Sequence, residues 1–383
     1  MYPGTEVATN WPKNGPPVVW QKQVGPGFSG PVVAAGKLIL FHRIEDKETS
    51  EALDAKTGKQ FWSFDYPTAY RDDFGFDEGP RATPAIVDGR VYTFGAEGML
   101  TCVDAEHGKK LWSVDTKVEF HTAKGFFGRA SSPLVEGEAV IMILGGKAGA
   151  GLVAFDRKNG KVLWKTTNDE ASYSSPVAAT INGQQVVLAV TLSELAGVEP
   201  ASGKALFGYP FRPPIRSSVT AATPVVNGNE IFISASYNTG AAMLRVAGAS
   251  TMSVEKVWAS EDALSCHYAT PILHNGFLYG IHGRTDPGFE PAASLRCIEW
   301  KSGKVQWERQ NFGAATLMLV GEALLILNER GELLRVATSP TGYKETARAQ
   351  VLPNQVRAHP ALADGLFYAR SKDKLVCLDL TKR

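Results

Sequence analysis

The residues best able to do chemistry in this chain are histidines, arginines and tyrosines standing just before or just after short apolar runs. Five of the seven histidines do so: His42, His121, His267, His282 and His359. With them stand Arg43, Arg71, Arg129, Arg216, Arg284, Arg330 and Arg357, and the tyrosines Tyr173 and Tyr268. None of these types is a usual turn former, a role that falls to Gly, Asn, Asp, Ser and Pro. Two chemistries suit them. Guanidinium forks bind carboxylate or phosphate, and Phe126, Phe127 or Tyr268 could stack on a sugar ring, which gives a pocket for an anionic or sugar-like ligand. Neutral imidazoles of His121, His267, His282 and His359, if brought together, would suit a divalent metal such as Zn²⁺, Mn²⁺ or Fe²⁺. Such an ion could polarise a uronic-acid carboxylate for β-elimination or activate water for hydrolysis. No ligand spacing in the sequence ties these histidines together, and ordinary solvated loop polarity is a third reading.

Other reactive types carry less. Cys266 adjoins His267, but neighbours on a strand point to opposite faces, which argues against a paired thiolate. Cys102, Cys297 and Cys377 fall at one repeat position and read as small buried apolar residues. The longest connection, from Asp65 to Arg81, contains Arg71-Asp72-Asp73-Phe74-Gly75-Phe76. It reads as a functional loop or lid, with the Asp pair capping a turn as the competing role.

These residues hang on a repeat. Its first half is a pair of small residues and Pro, an apolar strand, an Asn-Gly or Asp-Gly type turn, and a second strand. It occurs at Ser29-Gly30-Pro31, Ala82-Thr83-Pro84, Ser131-Ser132-Pro133, Ser174-Ser175-Pro176, Ala222-Thr223-Pro224, Ala269-Thr270-Pro271 and Ala358-His359-Pro360. A weaker copy, Ala314-Ala315-Thr316, has Leu317 in place of Pro. From Pro31 to Pro360 there are seven steps of about 47 residues, a propeller-blade period. The second half is Asp-x-x-x-Gly-Lys-x-x-Trp, as in Asp54 to Trp62, Asp104 to Trp112 and Asp156 to Trp164, with Glu299 to Trp307 a close variant. Asp and Gly make a tight hairpin, and the Trp of the outer strand is expected to pack on the neighbouring blade. The last repeat lacks an outer Trp strand, while Pro17 to Lys22 is an orphan outer strand at the other end. Pairing them hides both edges and closes a ring of eight. The expectation is an all-β, eight-bladed propeller of four-stranded blades over 1–383, with 16–24 completing the last blade, 356–383.

The Asp-x-x-x-Gly-Lys-x-x-Trp hairpins and the Ser-Ser-Pro or Ala-Thr-Pro strand starts resemble the pyrroloquinoline-quinone-like (PQQ-like) repeat family. That family includes quinoprotein alcohol dehydrogenases and the lipoprotein scaffold of the bacterial outer-membrane assembly machine. The resemblance implies the fold, and it implies a periplasmic or secreted setting. For a dehydrogenase it would further imply PQQ between a Trp floor and a disulfide of adjacent cysteines, with Ca²⁺ held by Glu and Asn beside a catalytic Asp. This chain has no adjacent Cys pair, and no Glu/Asn/Asp set matches by motif. No cofactor is therefore expected from the sequence, a divalent metal being the open alternative.

The bulk numbers agree. With 40 basic and 39 acidic residues, nothing in the charge favours nucleic acid or an anionic membrane. No apolar run reaches the roughly 18 residues of a membrane helix, and Met1 to Asn10 is polar without an apolar h-region. The expected function is a ligand- or partner-binding propeller, monomeric, working through its His/Arg/Tyr-rich axial face. A carbohydrate-active lyase or hydrolase is the alternative, and a PQQ-dependent dehydrogenase the more distant one.

Overall fold

The computed structural model describes residues 7–215, 219–249, 251–286 and 292–381. They form eight four-stranded antiparallel sheets. Blade 1 comprises Val32–Ala34, Lys37–Ile44, Lys47–Asp54 and Gln60–Pro67. Blades 2 to 7 follow in chain order with the same meander. In blade 8 the strands Ala361–Ala363, Leu366–Arg370 and Lys374–Asp379 are completed by Val18–Gln23, in the order expected for ring closure.

The repeat explains its own geometry. Asp54 accepts the amide N–H groups of Lys56 (3.0 Å) and Thr57 (2.8 Å), which folds the hairpin back on itself. Every blade then has a bulge between its third and outer strands, for example where Ala52 pairs with Trp62 but Leu53 with Gln60. A bulge bends and twists the outer strand, and the indole turns toward the next blade. The indole N–H of Trp112 donates to the Arg157 carbonyl (3.1 Å) of blade 3, and those of Trp20, Trp62, Trp164, Trp258 and Trp307 do the same across their own seams at 2.7–3.1 Å. The motif glycine sits under the ring: Gly160 has φ +74°, and a Cβ there would come within 2.7 Å of Trp112. In two seams a tyrosine adds a second bond to the same carbonyl, Tyr92 on Arg157 and Tyr368 on Ala55. These tyrosines are paired across the sheet with Cys102 and Cys377, which are buried and free, as is Cys297 opposite Tyr279.

Two seams lack a Trp clamp. Between blades 4 and 5, where Phe207 replaces Trp, apolar side chains of both blades merge in one cluster and Asn182 donates to the Val246 and Gly248 carbonyls. Between blades 7 and 8, Val7 and Trp11 pack on the shared core, and the Ala8 amide donates to Leu380 (2.7 Å). The segment before the closing strand thus covers the seam that no repeat Trp reaches.

Candidate binding cup on the axial face

Two concentric rings of the repeat surround the axis. The residue directly before each inner-strand Pro forms the first. Gly30 N–H points at Thr83 Oγ1 (3.3 Å), Thr83 N–H at Ser132 Oγ (2.9 Å), Ser132 N–H at Ser175 Oγ (2.9 Å) and Thr223 N–H at Thr270 Oγ1 (3.0 Å). His359 holds this place in blade 8, its ring nitrogens facing the carbonyls of Leu317 (3.3 Å) and Pro360 (2.9 Å). Gly30 is small by necessity, since a Cβ would lie 2.5 Å from the His359 carbonyl oxygen. This ring is a blade-to-blade hydrogen-bond girdle.

The second ring stands two residues before that position, three before the proline. In chain order it reads Phe28, Arg81, Ala130, Tyr173, Ala221, Tyr268, Ala314 and Arg357. Seven of these eight, all but Ala314, line one cavity of about 240 Å³. Arginines of blades 2 and 8 therefore flank Phe28 of blade 1, while Tyr173, Val219, Ala221 and Tyr268 make the opposite wall. Phe76, Phe127, His267 and Asp286 complete the lining. The result is a cup with a cationic side and an apolar, aromatic side.

Its groups are held firmly. Arg81 donates to the carbonyls of Gly79 (3.0 Å) and Asp77 (2.8 Å) and lies over the rings of Tyr70 and Phe28, at 5.2 and 5.8 Å. Arg357 is held more loosely, by the Thr285 carbonyl at 3.4 Å, with Glu329 at 4.0 Å and the Tyr268 ring at 5.8 Å. His267 Nδ1 accepts the Thr285 amide (3.1 Å), which assigns the proton to Nε2, 3.2 Å from the Tyr237 hydroxyl. Burial pushes this imidazole down to about 4, so it is neutral at pH 7. The buried Tyr268 hydroxyl has no partner among the described residues, and burial raises it to about 12. Asp286 is the carboxylate among the lining residues, and its Oδ2 accepts from Arg284 Nε at 2.8 Å.

At the mouth an aromatic shelf is exposed. Phe74, Phe76 and Phe126 are 54, 40 and 41 % accessible. Phe74 lies 5.1–6.4 Å from Phe76, Phe126 and Phe127, and Phe127 lies 5.9 Å from Tyr173. The two loops that carry the shelf are braced. Asp72 accepts three amides, those of Phe74, Phe76 and Asp77, which is the turn-capping role weighed above. Tyr173 Oη accepts the amides of Phe126 and Phe127, and Lys124 reaches Asp73 at 2.7 Å.

Of the fourteen residues singled out from the sequence, Tyr173, His267, Tyr268 and Arg357 line the cup. Others serve the scaffold. His42 is buried, accepts the Gly25 amide at 2.9 Å and faces Glu51 at 3.3 Å; burial lowers its pKa. Arg43 is buried and pins the long loop by donating to the Tyr70 carbonyl (2.7 Å). Arg71 and Arg330 lie near the surface with Glu78 (3.5 Å) and Glu332 (3.2 Å). His121 is exposed in a left-handed conformation, φ 53°, as the C-cap of a short helix, Thr116–Phe120. His282 accepts the Ser265 amide and, with Arg284, lines a separate polar hollow. Arg129 lines a smaller cavity beside the cup, and Arg216 lies outside the described residues. Phe28 and Arg81 were missed, although their spacing from the repeat proline was available to find them.

The four histidines weighed as metal ligands are not brought together. His121 is on the surface, His359 is built into the girdle, and His267 and His282 border different cavities. Among the described residues no group of three or more His, Cys, Asp or Glu is arranged to hold an ion. Nor do the residues fit the quinone seat of the dehydrogenases. The four cysteines are buried singly, and Trp20, Trp62, Trp112, Trp164, Trp258 and Trp307 are committed to blade seams. Trp300 donates to Glu230 and Trp11 packs on the blade 7–8 core, so no indole is left to floor the cup. The thiol of Cys266, buried and pushed up to about 12, is no nucleophile at neutral pH.

Comparison with known proteins agrees with this architecture. The dehydrogenase subunit of the quinone alcohol dehydrogenase of Gluconacetobacter polyoxogenes is 33% identical over 137 residues, covering 34% of this chain and 18% of that subunit. The chain thus matches under a fifth of the length of such relatives. The outer membrane protein assembly factor BamB of Moranella endobia (strain PCIT) is 22% identical over 280 residues, 70% of this chain and 67% of that one. The crystal structure of BamB from Moraxella catarrhalis superposes with a TM-score of 0.66 at 14% identity, covering 95% of this chain and 99% of that chain, a likeness of fold. A family model described as outer membrane protein assembly factor BamB matches residues 46–309, about two thirds of the sequence. On that match, the chain belongs to the BamB-type family of PQQ-like repeat propellers.

Proposed function

We propose that this protein is a docking propeller: a partner protein rests on the Phe74–Phe76–Phe126 shelf and inserts an apolar, acid-bearing segment into the axial cup. The observation that carries this reading is the second ring, in which one repeat position supplies seven of eight side chains to a single cavity. A position used only for packing would hold similar residues around the ring. Here it alternates arginine, aromatic and alanine. Arg357, whose ion pair with Glu329 is long, and Arg81, 3.6 Å from the buried Asp72, put guanidinium groups on one side for a carboxylate, while the opposite wall takes an apolar group. The exposed phenylalanines extend that wall outward, and contiguous exposed apolar surface marks interaction sites. Because their loops are braced, little ordering entropy is lost on docking.

Of the lining groups that could act as acid or base, Asp286 is paired with Arg284, His267 is buried between Thr285 and Tyr237, and burial raises the Tyr173 and Tyr268 hydroxyls above their usual range. That favours binding over catalysis. The family's outer-membrane description supports a periplasmic or secreted setting and a protein as the partner, in preference to a free sugar or small molecule.

The test is photo-crosslinking in cells, with a benzophenone side chain at Phe126 or, on the opposite face, at Asn159. A discrete protein adduct from Phe126, absent from Asn159 and lost in an Arg81→Gln, Arg357→Gln double variant, supports the reading. Equal adducts from both faces, or an adduct indifferent to the arginines, refutes it.

A further inference from the structure

We propose that Arg129 and Ser131 form a seat for a small carboxylate, in a second cavity that shares a wall with the cup. This site stands or falls independently of the docking reading. The cavity, about 70 Å³, is bounded by Arg129, Ser131 and Tyr173 together with Phe94, Lys124 and Glu170. That volume holds several waters or one carboxylate-sized group, since a single water needs only about 10–15 Å³.

Charge and donors are both unbalanced there. Arg129 is 7 % exposed, and Nη1 donates to the Leu144 carbonyl at 2.9 Å, but Nη2 has no hydrogen-bond partner among the described residues. Burial pulls its pKa down to about 10, so the group is still cationic at neutral pH. Among the described residues no carboxylate lies within ion-pair distance of it. An uncompensated buried guanidinium is costly, and a buried polar atom without a partner calls for an unseen water or ion. Ser131 is 2 % exposed and its hydroxyl is also unpartnered. The Tyr173 oxygen already accepts two amides, and its own proton finds no acceptor among the described residues. The wall's other charges do not compensate Arg129, because Glu170 is exposed to solvent and Lys124 is bound to Asp73.

Two unpartnered buried donors, the Tyr173 hydroxyl and a full positive charge therefore border one cavity, whose single lining carboxylate, Glu170, is exposed to solvent. Water would satisfy the donors but leave the charge, whereas a carboxylate satisfies both. Tyr173 also holds the loop that carries Phe126 and Phe127, so an occupied seat would stiffen the edge of the shelf.

Calorimetric titration of the full chain with sodium formate, at constant ionic strength, tests this directly. Saturable one-site binding is expected, with none for trimethylacetate, which is too bulky for the cavity. Arg129→Gln should weaken formate binding about tenfold or more, as for loss of one charge-assisted hydrogen bond. Ser131→Ala, which retains the charge, should weaken it several-fold and serves as the deciding variant if Arg129→Gln does not fold. Formate heats no larger than dilution in the wild type would mean water alone fills the cavity. Unchanged affinity in Arg129→Gln, or in Ser131→Ala should that variant be the only one folded, would overturn the site equally.

Discussion

At the rim one side chain recurs with the same kind of partner in six of eight seams, whereas on the axial face one position carries four residue types that change from each blade to the next. Six tryptophans each close a seam through a carbonyl of the next blade, and beneath five of the rings the motif glycine leaves room for the indole. The girdle of small hydroxyl residues before the prolines is nearly as uniform. Two residues upstream of the girdle, uniformity ends with Phe, Arg, Ala, Tyr, Ala, Tyr, Ala and Arg. Where the repeat needs the same contact in seam after seam, its residue is constrained. Where it faces a shared cavity, the residue is free to serve whatever enters.

That contrast is open to measurement, and the rim should give the largest response. Trp112→Ala removes a buried indole and its hydrogen bond to Arg157, so denaturant unfolding should register a loss of about 3–5 kcal/mol. A loss under 1 kcal/mol would mean the seams are held by something other than the clamps.

Acid should act next, through the axial histidine. His267 has a folded pKa near 4, lowered mainly by burial, against about 6.5 unfolded. Between those values the unfolded chain binds the proton and the folded one does not. The stability due to this group is therefore complete above about pH 6.5 and falls away as pH drops toward 4, by a few kcal/mol. Comparing unfolding free energies of the wild type and His267→Gln across that range checks the sign. The variant should show the shallower pH dependence, and parallel curves would show that His267 is solvated.

Smaller still is the effect expected at the second ring. Arg357→Gln should shift stability by about 1 kcal/mol or less, because its hydrogen bond is long and its ion pair part-exposed. A loss comparable to that of Trp112→Ala would make Arg357 a structural residue and dissolve the distinction between rim and cup. The least effect belongs to Phe126→Ser. This exposed ring should matter to unfolding by no more than about 0.5 kcal/mol, while a crosslinked partner captured elsewhere on the shelf should be weakened.

The sequence by itself determined the blade count, the closure by Val18–Gln23, the hairpins and the six tryptophan clamps. Each depends on contacts repeated at fixed spacing, and a periodic physical requirement leaves a periodic trace in residue type. The axial site was legible only in part. Tyr173, His267, Tyr268 and Arg357 were recognised as polar or aromatic residues at loop positions, but so were His42 and Arg43, which fold inward to brace the blade 8–1 seam and the long loop. A loop residue's chemical type does not reveal whether it turns into a seam or toward the axis, because that depends on partners from other blades. Gathering Phe28, Arg81 and Arg357 into one wall, scattering the histidines, and burying Arg129 with no counterion among the described residues were all decided by tertiary structure. Only ring closure brings residues some 330 positions apart into one cavity, and no local rule of sequence encodes which of them will meet.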